Sequence, residues 1–187
     1  MISFEHVNLS FGSKHVIRDM SFSMEKSDRI ALMGDSGAGK TTILRLLLGF
    51  QKPDSGIVRV DEKLSVLFQE NRLIEPLSVI SNLMLVTDDR RRALEMIGKV
   101  GLGGEERSKV LTLSGGMKRR LSLARALLVD YDVLLLDEPF NGLDPDRKRS
   151  IADLILQETE GRGILLISHE EEERELLHVD RRIEIGL

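Results

Sequence analysis

Residues 34–41 read G-D-S-G-A-G-K-T, which fits the phosphate-binding loop pattern G-x-x-x-x-G-K-[ST]. This string constrains the fold more than any other, because it works only with a strand before it and a helix after it. Both are predicted here: residues 29–33 are a short apolar run of strand length, and apolar residues recur at helical spacing over 40–50. The sequence therefore predicts an α/β unit built to bind phosphate.

The glycines of this segment, called the glycine loop (residues 34–41) below, let the backbone bind anions. Gly34, Gly37 and Gly39 allow consecutive N–H groups to turn inward, and the loop leads into a helix N-terminus, which favours negative charge. The alternative is a glycine-rich turn with a chance lysine, which the flanking strand and helix disfavour. In this pattern the lysine reaches the β- and γ-phosphates, and the next hydroxyl, Thr41, ligates Mg²⁺. The residues expected to bind ATP here are Gly34, Asp35, Ser36, Gly37, Ala38, Gly39, Lys40, Thr41 and Thr42.

Strands alternate with helices along most of the chain, which predicts a mainly parallel sheet with right-handed crossovers. The first two strands read instead as an antiparallel pair joined by a turn at 12–14, and the stretch 78–100 contains only helical patterns. The predicted strands are 2–11, 16–24, 29–33, 57–60, 64–68, 133–136, 163–168 and 181–185. The predicted helices are 40–50, 79–86, 90–100, 115–129, 147–158 and 170–177. The acidic run 170–173 is expected to be a solvated helix face.

Two carboxylates follow the continuous apolar run 133–136, which is typical of a strand buried on both faces. Asp137 at the end of such a strand can hold Mg²⁺ through water, and Glu138 is the best candidate to polarise an attacking water molecule. The alternative is that both are ordinary charged residues at a strand end. The glycine loop makes the catalytic interpretation the stronger one.

A second glycine motif, L-S-G-G-M at 113–117, precedes a long helical pattern. Ser114, Gly115 and Gly116 would open that helix and provide a second anion-binding N-terminus. Because the glycine loop already binds a phosphate, this second cradle suits a nucleotide held by a partner. Together with the glycine loop and the Asp-Glu pair, the motif closely resembles the ATP-binding subunits of ABC transporters, and the resemblance covers nearly the whole chain.

The resemblance implies a P-loop NTPase fold with a mainly parallel sheet and flanking helices, an N-terminal antiparallel β-subdomain and a small helical insertion. It also implies one domain over residues 1–187. In this division 1–69 and 131–187 form the nucleotide-binding core with its β-subdomain, and 70–130 form a helical signature subdomain.

Further roles are implied by the resemblance alone. Phe11 would stack on adenine, although packing in the core or a turn is the alternative. Gln69 would contact Mg²⁺ and face the membrane partner, and alone it could be an ordinary polar residue at a strand end. His169 would contact the γ-phosphate, the alternative being a histidine at a helix start. Catalysis is then assigned to Glu138, His169 and Lys40.

The resemblance also implies a head-to-tail dimer with two ATP molecules in its interface. Ser114, Gly115 and Gly116 would contact the γ-phosphate bound by the other subunit, and Asp144 would lie in the loop between the two sites. Met117, where the family most often has glutamine, and the segment 69–76 are similar to importers of the nitrate, sulfonate and taurine type. The expected partners are a second ATPase subunit as a homodimer, transmembrane permease subunits and a solute-binding protein.

The composition of the chain excludes some classes of site and argues against some classes of partner. The chain has 187 residues and a net charge of -4, which argues against nucleic acid as a partner, and it has no cysteine for a disulfide, a metal site or a nucleophile. No apolar run approaches the ~18 residues of a membrane helix, so a cytoplasmic protein on the inner face of the membrane is expected. Two other functions stay open: an ABC ATPase acting without a channel on nucleic acid or ribosomes, and a nucleotide-binding regulatory module with little catalysis.

Overall fold

A computed structural model of the chain describes residues 1–35 and 37–185. The strands are β1 (Ile2–Phe11), β2 (Lys14–Met24), β3 (Arg29–Met33), β4 (Ser55–Val60), β5 (Leu64–Leu67), β6 (Val133–Asp137), β7 (Gly163–Ser168) and β8 (Arg181–Glu184). The helices are α1 (Lys40–Leu47), α2 (Val79–Leu83), α3 (Arg90–Lys99), α4 (Gly115–Leu128), α5 (Pro145–Glu158) and α6 (Glu171–Leu176). No helix in the described part of the chain is long and apolar enough to cross a membrane.

The strands form two sheets, as the sequence predicts. One has the order β2-β1-β4 and is antiparallel, and the other has the order β5-β6-β7-β3-β8 and is parallel throughout. Every residue of β6 and β7 is buried, because parallel strands with helix crossovers are covered on both faces. The predicted fold class is therefore confirmed.

Side chains alternate between two cores across the parallel sheet, because successive residues of a strand point to opposite faces. Leu134 and Leu136 pack with the apolar faces of α2 to α5, whereas Val133 and Leu135 pack with α1 and the antiparallel sheet. The protein is thus layered, with α2 to α5 on one face of the parallel sheet and with α1 and the antiparallel sheet on the other.

Three helix boundaries differ from the sequence prediction by more than one residue, and the first is the end of α1, which lies at Leu47 rather than at 50. Helix α5 begins at Pro145 rather than at 147, because the Asp144 carboxylate caps it by accepting a hydrogen bond from the Arg147 N–H at 3.0 Å. Proline fits the first position of a helix, since the N–H that it lacks would have no acceptor within the helix there. Helix α2 ends at Leu83 rather than at 86, where the chain turns and the Val86 N–H donates to the Leu83 carbonyl at 3.0 Å.

Helix α3 ends in a glycine turn that packs against two arginines. Gly101 has φ +67°, and the Leu102 N–H donates to the Ile97 carbonyl at 2.9 Å, which is the Schellman arrangement. A Cβ on Gly101 would lie 3.0 Å from the nearest guanidinium nitrogens of Arg120 and Arg147. Gly98, one turn earlier in the same helix, has open space around it.

These two glycines give a matched test of the fold. Gly98→Ala is expected to stabilise the protein by about 0.5–1 kcal/mol, because alanine restricts the unfolded chain and fits the helix. Gly101→Ala is expected to destabilise it by about 1–2 kcal/mol, because its conformation is left-handed. Urea unfolding of both variants measures the difference, and a shift in the same direction for both would contradict this account of the turn.

Candidate active site

The glycine loop connects the end of β3 to the start of α1 and lies against two other strands. A Cβ on Gly39, which has φ +103°, would meet the Val16 carbonyl oxygen of β2 at 3.1 Å. A Cβ on Gly34 would meet the Ile185 carbonyl oxygen, just after β8, at 2.3 Å. Glycine is required at both positions because backbone from neighbouring strands approaches the loop closely. The predicted contact Ser36 lies outside the described residues.

Lys40 is the first residue of α1 and is buried, with its ammonium turned back over the loop. It donates a hydrogen bond to the Asp35 carbonyl at 2.9 Å and another to the Gly34 carbonyl. The N-cap of α1 is Gly39, and no described side chain caps this helix, so these residues leave its first amides available to an anion. Beside the loop, β2 and the end of β8 enclose a cavity of about 780 Å³ that Asp35, Gly37 and Ala38 also line.

Asp137 and Glu138 occupy different environments at the end of β6. Asp137 is buried, and its pKa is raised by burial and by the charge of Glu138, while a hydrogen bond from the Gln69 backbone and the charges of Arg119 and Lys40 oppose this rise. Glu138 has φ +47°, a conformation that non-glycine residues rarely adopt, and its N–H donates to the Ile167 carbonyl at 2.9 Å. Such strain concentrates at functional sites.

The Glu138 carboxylate is held by two side chains that the sequence also singled out. The Gln69 amide donates to Oε2 at 2.9 Å, and His169 Nδ1 lies 3.1 Å from Oε1. Because a carboxylate only accepts, Nδ1 carries the hydrogen in this bond. Residues distant in sequence therefore form one group, called the sheet-edge trio below (Gln69, Glu138 and His169). They meet because β5, β6 and β7 are parallel neighbours whose carboxyl ends lie at one edge.

The remaining predicted contacts lie elsewhere on the surface. Phe11, at the end of β1, is 48% exposed. Ser114 is the exposed N-cap of α4, where its hydroxyl accepts from the Met117 N–H at 3.3 Å, and Asp144 caps α5. Among the described residues, no hydrogen bond joins Ser114 or Asp144 to the sheet-edge trio. Gly115 has open space around it, as a cradle for an outside ligand would need.

One buried charge at this site was missed by the sequence analysis. Arg119, on α4, is 3% exposed, and its guanidinium hydrogen-bonds to five backbone carbonyls around the sheet-edge trio. Burial lowers the pKa of Arg119 to about 10, and the charges of Asp137, Glu173 and Glu138 oppose this fall. The only signal of this burial in the sequence is helical spacing. Ser122 and Ala126, which are small residues on the buried face of α4, follow Arg119 by three and seven positions.

The oxygen donors present fit Mg²⁺ held jointly with phosphates. Within residues 1–35 and 37–185, no three histidine or acidic side chains are close enough to hold a metal ion by themselves. Mg²⁺ is usually bound through one or two carboxylates plus substrate phosphates and waters. Thr41, Gln69 and Asp137 offer a hydroxyl, an amide and one buried carboxylate, which is the donor chemistry of such a site.

The fold and this group of residues define a P-loop nucleotide hydrolase. Residues 17–141 match the family model described as "ABC transporter". The chain belongs to this family, as an ATP-binding member that hydrolyses ATP.

Proteins of similar sequence match this chain over most of its length. An aliphatic sulfonates import ATP-binding protein, SsuB 1 of Paracoccus denitrificans, is 39% identical over 94% of this chain and 76% of its own length. A taurine import ATP-binding protein, TauB of Pseudomonas aeruginosa, is 35% identical over 94% of this chain and 75% of its own. A solved dimeric ATP-binding cassette, MJ0796 with bound ADP and Pi, superposes with a TM-score of 0.87 at 24% identity, covering 100% of this chain and 94% of that one.

One acid of the run 170–173 is buried, which contradicts the expectation that the whole run is a solvated helix face. Glu173 is 3% exposed, and the Ser168 hydroxyl donates to its carboxylate at 2.6 Å. Burial raises the pKa of Glu173 above its ordinary value of 4.5, with hydrogen bonds from Ser168 and the Phe140 backbone opposing the rise. The other three acids of the run are exposed or half-buried, and the sequence pattern alone does not distinguish Glu173 from them.

The raised pKa of Glu173 predicts a pH dependence of stability. The folded state holds this proton more tightly than the unfolded chain, so the stabilisation is present below pH 4.5 and is lost as the pH rises through the raised pKa. Glu173→Gln keeps an acceptor for Ser168 and has no proton to lose. The melting temperature of the variant minus that of the wild type is therefore expected to increase as the pH rises from 4 to 7. A constant difference across this range would show that Glu173 titrates normally.

Proposed function

We propose that this chain powers import of a solute by closing head to tail with a second copy around two ATP molecules, and hydrolysing them. The observation that carries the proposal is the Glu138 carboxylate, which is fixed between the Gln69 amide and the His169 ring at the sheet edge that also carries the glycine loop. A general base needs this kind of fixed geometry before it needs a tuned pKa.

In the proposed reaction, water attacks the γ-phosphorus and ADP leaves. Glu138 orients this water and accepts its proton, while His169 holds the carboxylate and faces the γ-phosphate. Lys40 and the amides of the glycine loop stabilise the charge on the transferred phosphoryl group. Mg²⁺ bound by Thr41, Gln69 and Asp137 would neutralise phosphate charge.

The second cradle supports the head-to-tail arrangement. The first four N–H groups of a helix have no acceptor within the helix, and Ser114 caps only that of Met117. The N–H groups of Gly115 and Gly116 are thus left for an anion, and α4, with 14 residues, contributes its dipole. We propose that this anion is the γ-phosphate held by the partner, with Asp144 between the sites and Phe11 against adenine.

Import is proposed from the relatives, which are import ATP-binding proteins for aliphatic sulfonates and taurine. The corresponding partners are permease subunits and a solute-binding protein, and the corresponding location is the cytoplasmic face of the membrane. The net charge of -4 gives no support to action on nucleic acid.

Glu138→Gln tests the catalytic assignment. The amide retains hydrogen-bonding capacity but is a far weaker base, so phosphate release is expected to fall by about 100-fold or more while ATP still binds. Phosphate release and fluorescent-nucleotide titration on purified protein measure the two properties. Glu160→Gln, which changes an exposed acid outside the site, serves as the control. Phosphate release from Glu138→Gln at the wild-type rate would refute the role of Glu138.

A further inference from the structure

One face of α4 binds the backbone of residues 68–72, called the Gln69 loop here. The Ser122 hydroxyl donates to the Asn71 carbonyl at 2.9 Å, and the Arg125 guanidinium donates to the Arg72 carbonyl at 2.9 Å. Arg119, one turn before Ser122, donates to the Gln69 carbonyl at 3.2 Å and also to the Phe68 carbonyl. The loop that carries Gln69 is therefore fixed to α4 by three side chains.

Arg119 alone among these three also binds the second catalytic loop, residues 137–139, called the Glu138 loop here. Its Nη2 donates to the Asp137 carbonyl at 2.6 Å and to the Glu138 carbonyl at 2.7 Å, and its Nε donates to the Pro139 carbonyl at 3.1 Å. A guanidinium can do this because it presents five donors in one rigid plane. A single group thus spans the two loops.

The electrostatics of this contact differ from those of an ion pair. Arg119 is buried, and within the described residues no carboxylate comes within ion-pairing distance of it, so backbone carbonyls supply its hydrogen bonds. Burying a charge is costly unless its donors are satisfied. The guanidinium therefore favours the one arrangement in which both loops present their carbonyls to it, and this arrangement brings the Gln69 amide within 2.9 Å of the Glu138 carboxylate.

We propose that Arg119 is a positioning residue for ATP hydrolysis, setting the spacing between the Gln69 loop and the Glu138 loop so that Glu138 is held in its working position. This rests on the proposed roles of Gln69 and Glu138. Arg119 lies five residues after Ser114 on the same helix. The helix that offers a cradle to the partner's nucleotide thereby also holds the catalytic loops of its own subunit.

The test compares Arg119→Gln and Arg119→Lys in the full chain by ATP hydrolysis kinetics. The glutamine amide is too short to reach both loops, and one ammonium cannot reproduce the fork, so kcat is expected to fall by about 100-fold for the first variant and by less for the second. KM and fluorescent-nucleotide affinity are expected to stay within about twofold, because Arg119 forms no hydrogen bond with any described residue of the glycine loop.

Arg125→Gln is the matched control. It removes the same group from the same helix, but Arg125 contacts carbonyls of the Gln69 loop alone, at Asn71 and Arg72. Its kcat is expected to stay within about threefold of wild type. An equal loss of kcat in Arg125→Gln and Arg119→Gln would reduce Arg119 to general support of the helix and overturn the proposal.

A double-mutant cycle with Gln69→Ala separates positioning from bulk stability. If Arg119 acts through the contact between Gln69 and Glu138, the double variant loses less activity than the product of the two single losses. The proposal would be overturned if the losses from Arg119→Gln and Gln69→Ala multiplied fully in the double variant. It would also be overturned by an unchanged kcat in folded Arg119→Gln, or by an effect of that variant on KM alone. So would failure of both Arg119 variants to fold, which would make Arg119 a core residue only. Failure of the proposed function is seen separately, as wild-type turnover in Glu138→Gln.

Discussion

Parallel pairing of β5, β6, β7 and β3 is the constraint on which the site depends. Parallel strands end at the same edge, so the residue that follows each strand is brought to one place without any contact in sequence. Gln69, Glu138 and His169 follow β5, β6 and β7, and the glycine loop follows β3. The continuous burial of β6 and β7 fixes this order, because these strands are stable only with a neighbour on both edges and a layer on both faces.

Residue type and period predicted most of this arrangement. The apolar runs that became β3, β6 and β7 were recognisable because buried parallel strands lack polar alternation, and the glycine loop because few other folds need that spacing. Contacts that depend on tertiary structure were not predictable. Nothing local distinguishes Arg119 from exposed arginines, or Glu173 from its acidic neighbours, since only the fold decides which of them is buried. The predicted start of α5 was wrong for a different reason, because Asp144 was not recognised as the N-cap of the helix. The roles of Phe11 and Asp144 stay predictions.

Helix α4 is the element that connects the two halves of the mechanism. Its first turn exposes the N–H groups proposed to meet the partner's nucleotide, and its second turn carries the guanidinium that spans the Gln69 loop and the Glu138 loop. In the proposed head-to-tail dimer, a rigid α4 would couple closure against Ser114 to the placement of Glu138. The proposed role would give this buried, costly charge a task that an apolar residue of similar size could not perform.

Two copies of the chain are proposed to share each ATP. Light scattering of purified Glu138→Gln protein, with and without Mg-ATP, tests this proposal most directly, because blocked hydrolysis should trap the closed form. The account predicts the mass of one chain, 21.1 kDa, without nucleotide and twice that mass with it. A single-chain mass at saturating ATP, with nucleotide binding shown in the same sample, would contradict closure around shared ATP by this chain alone.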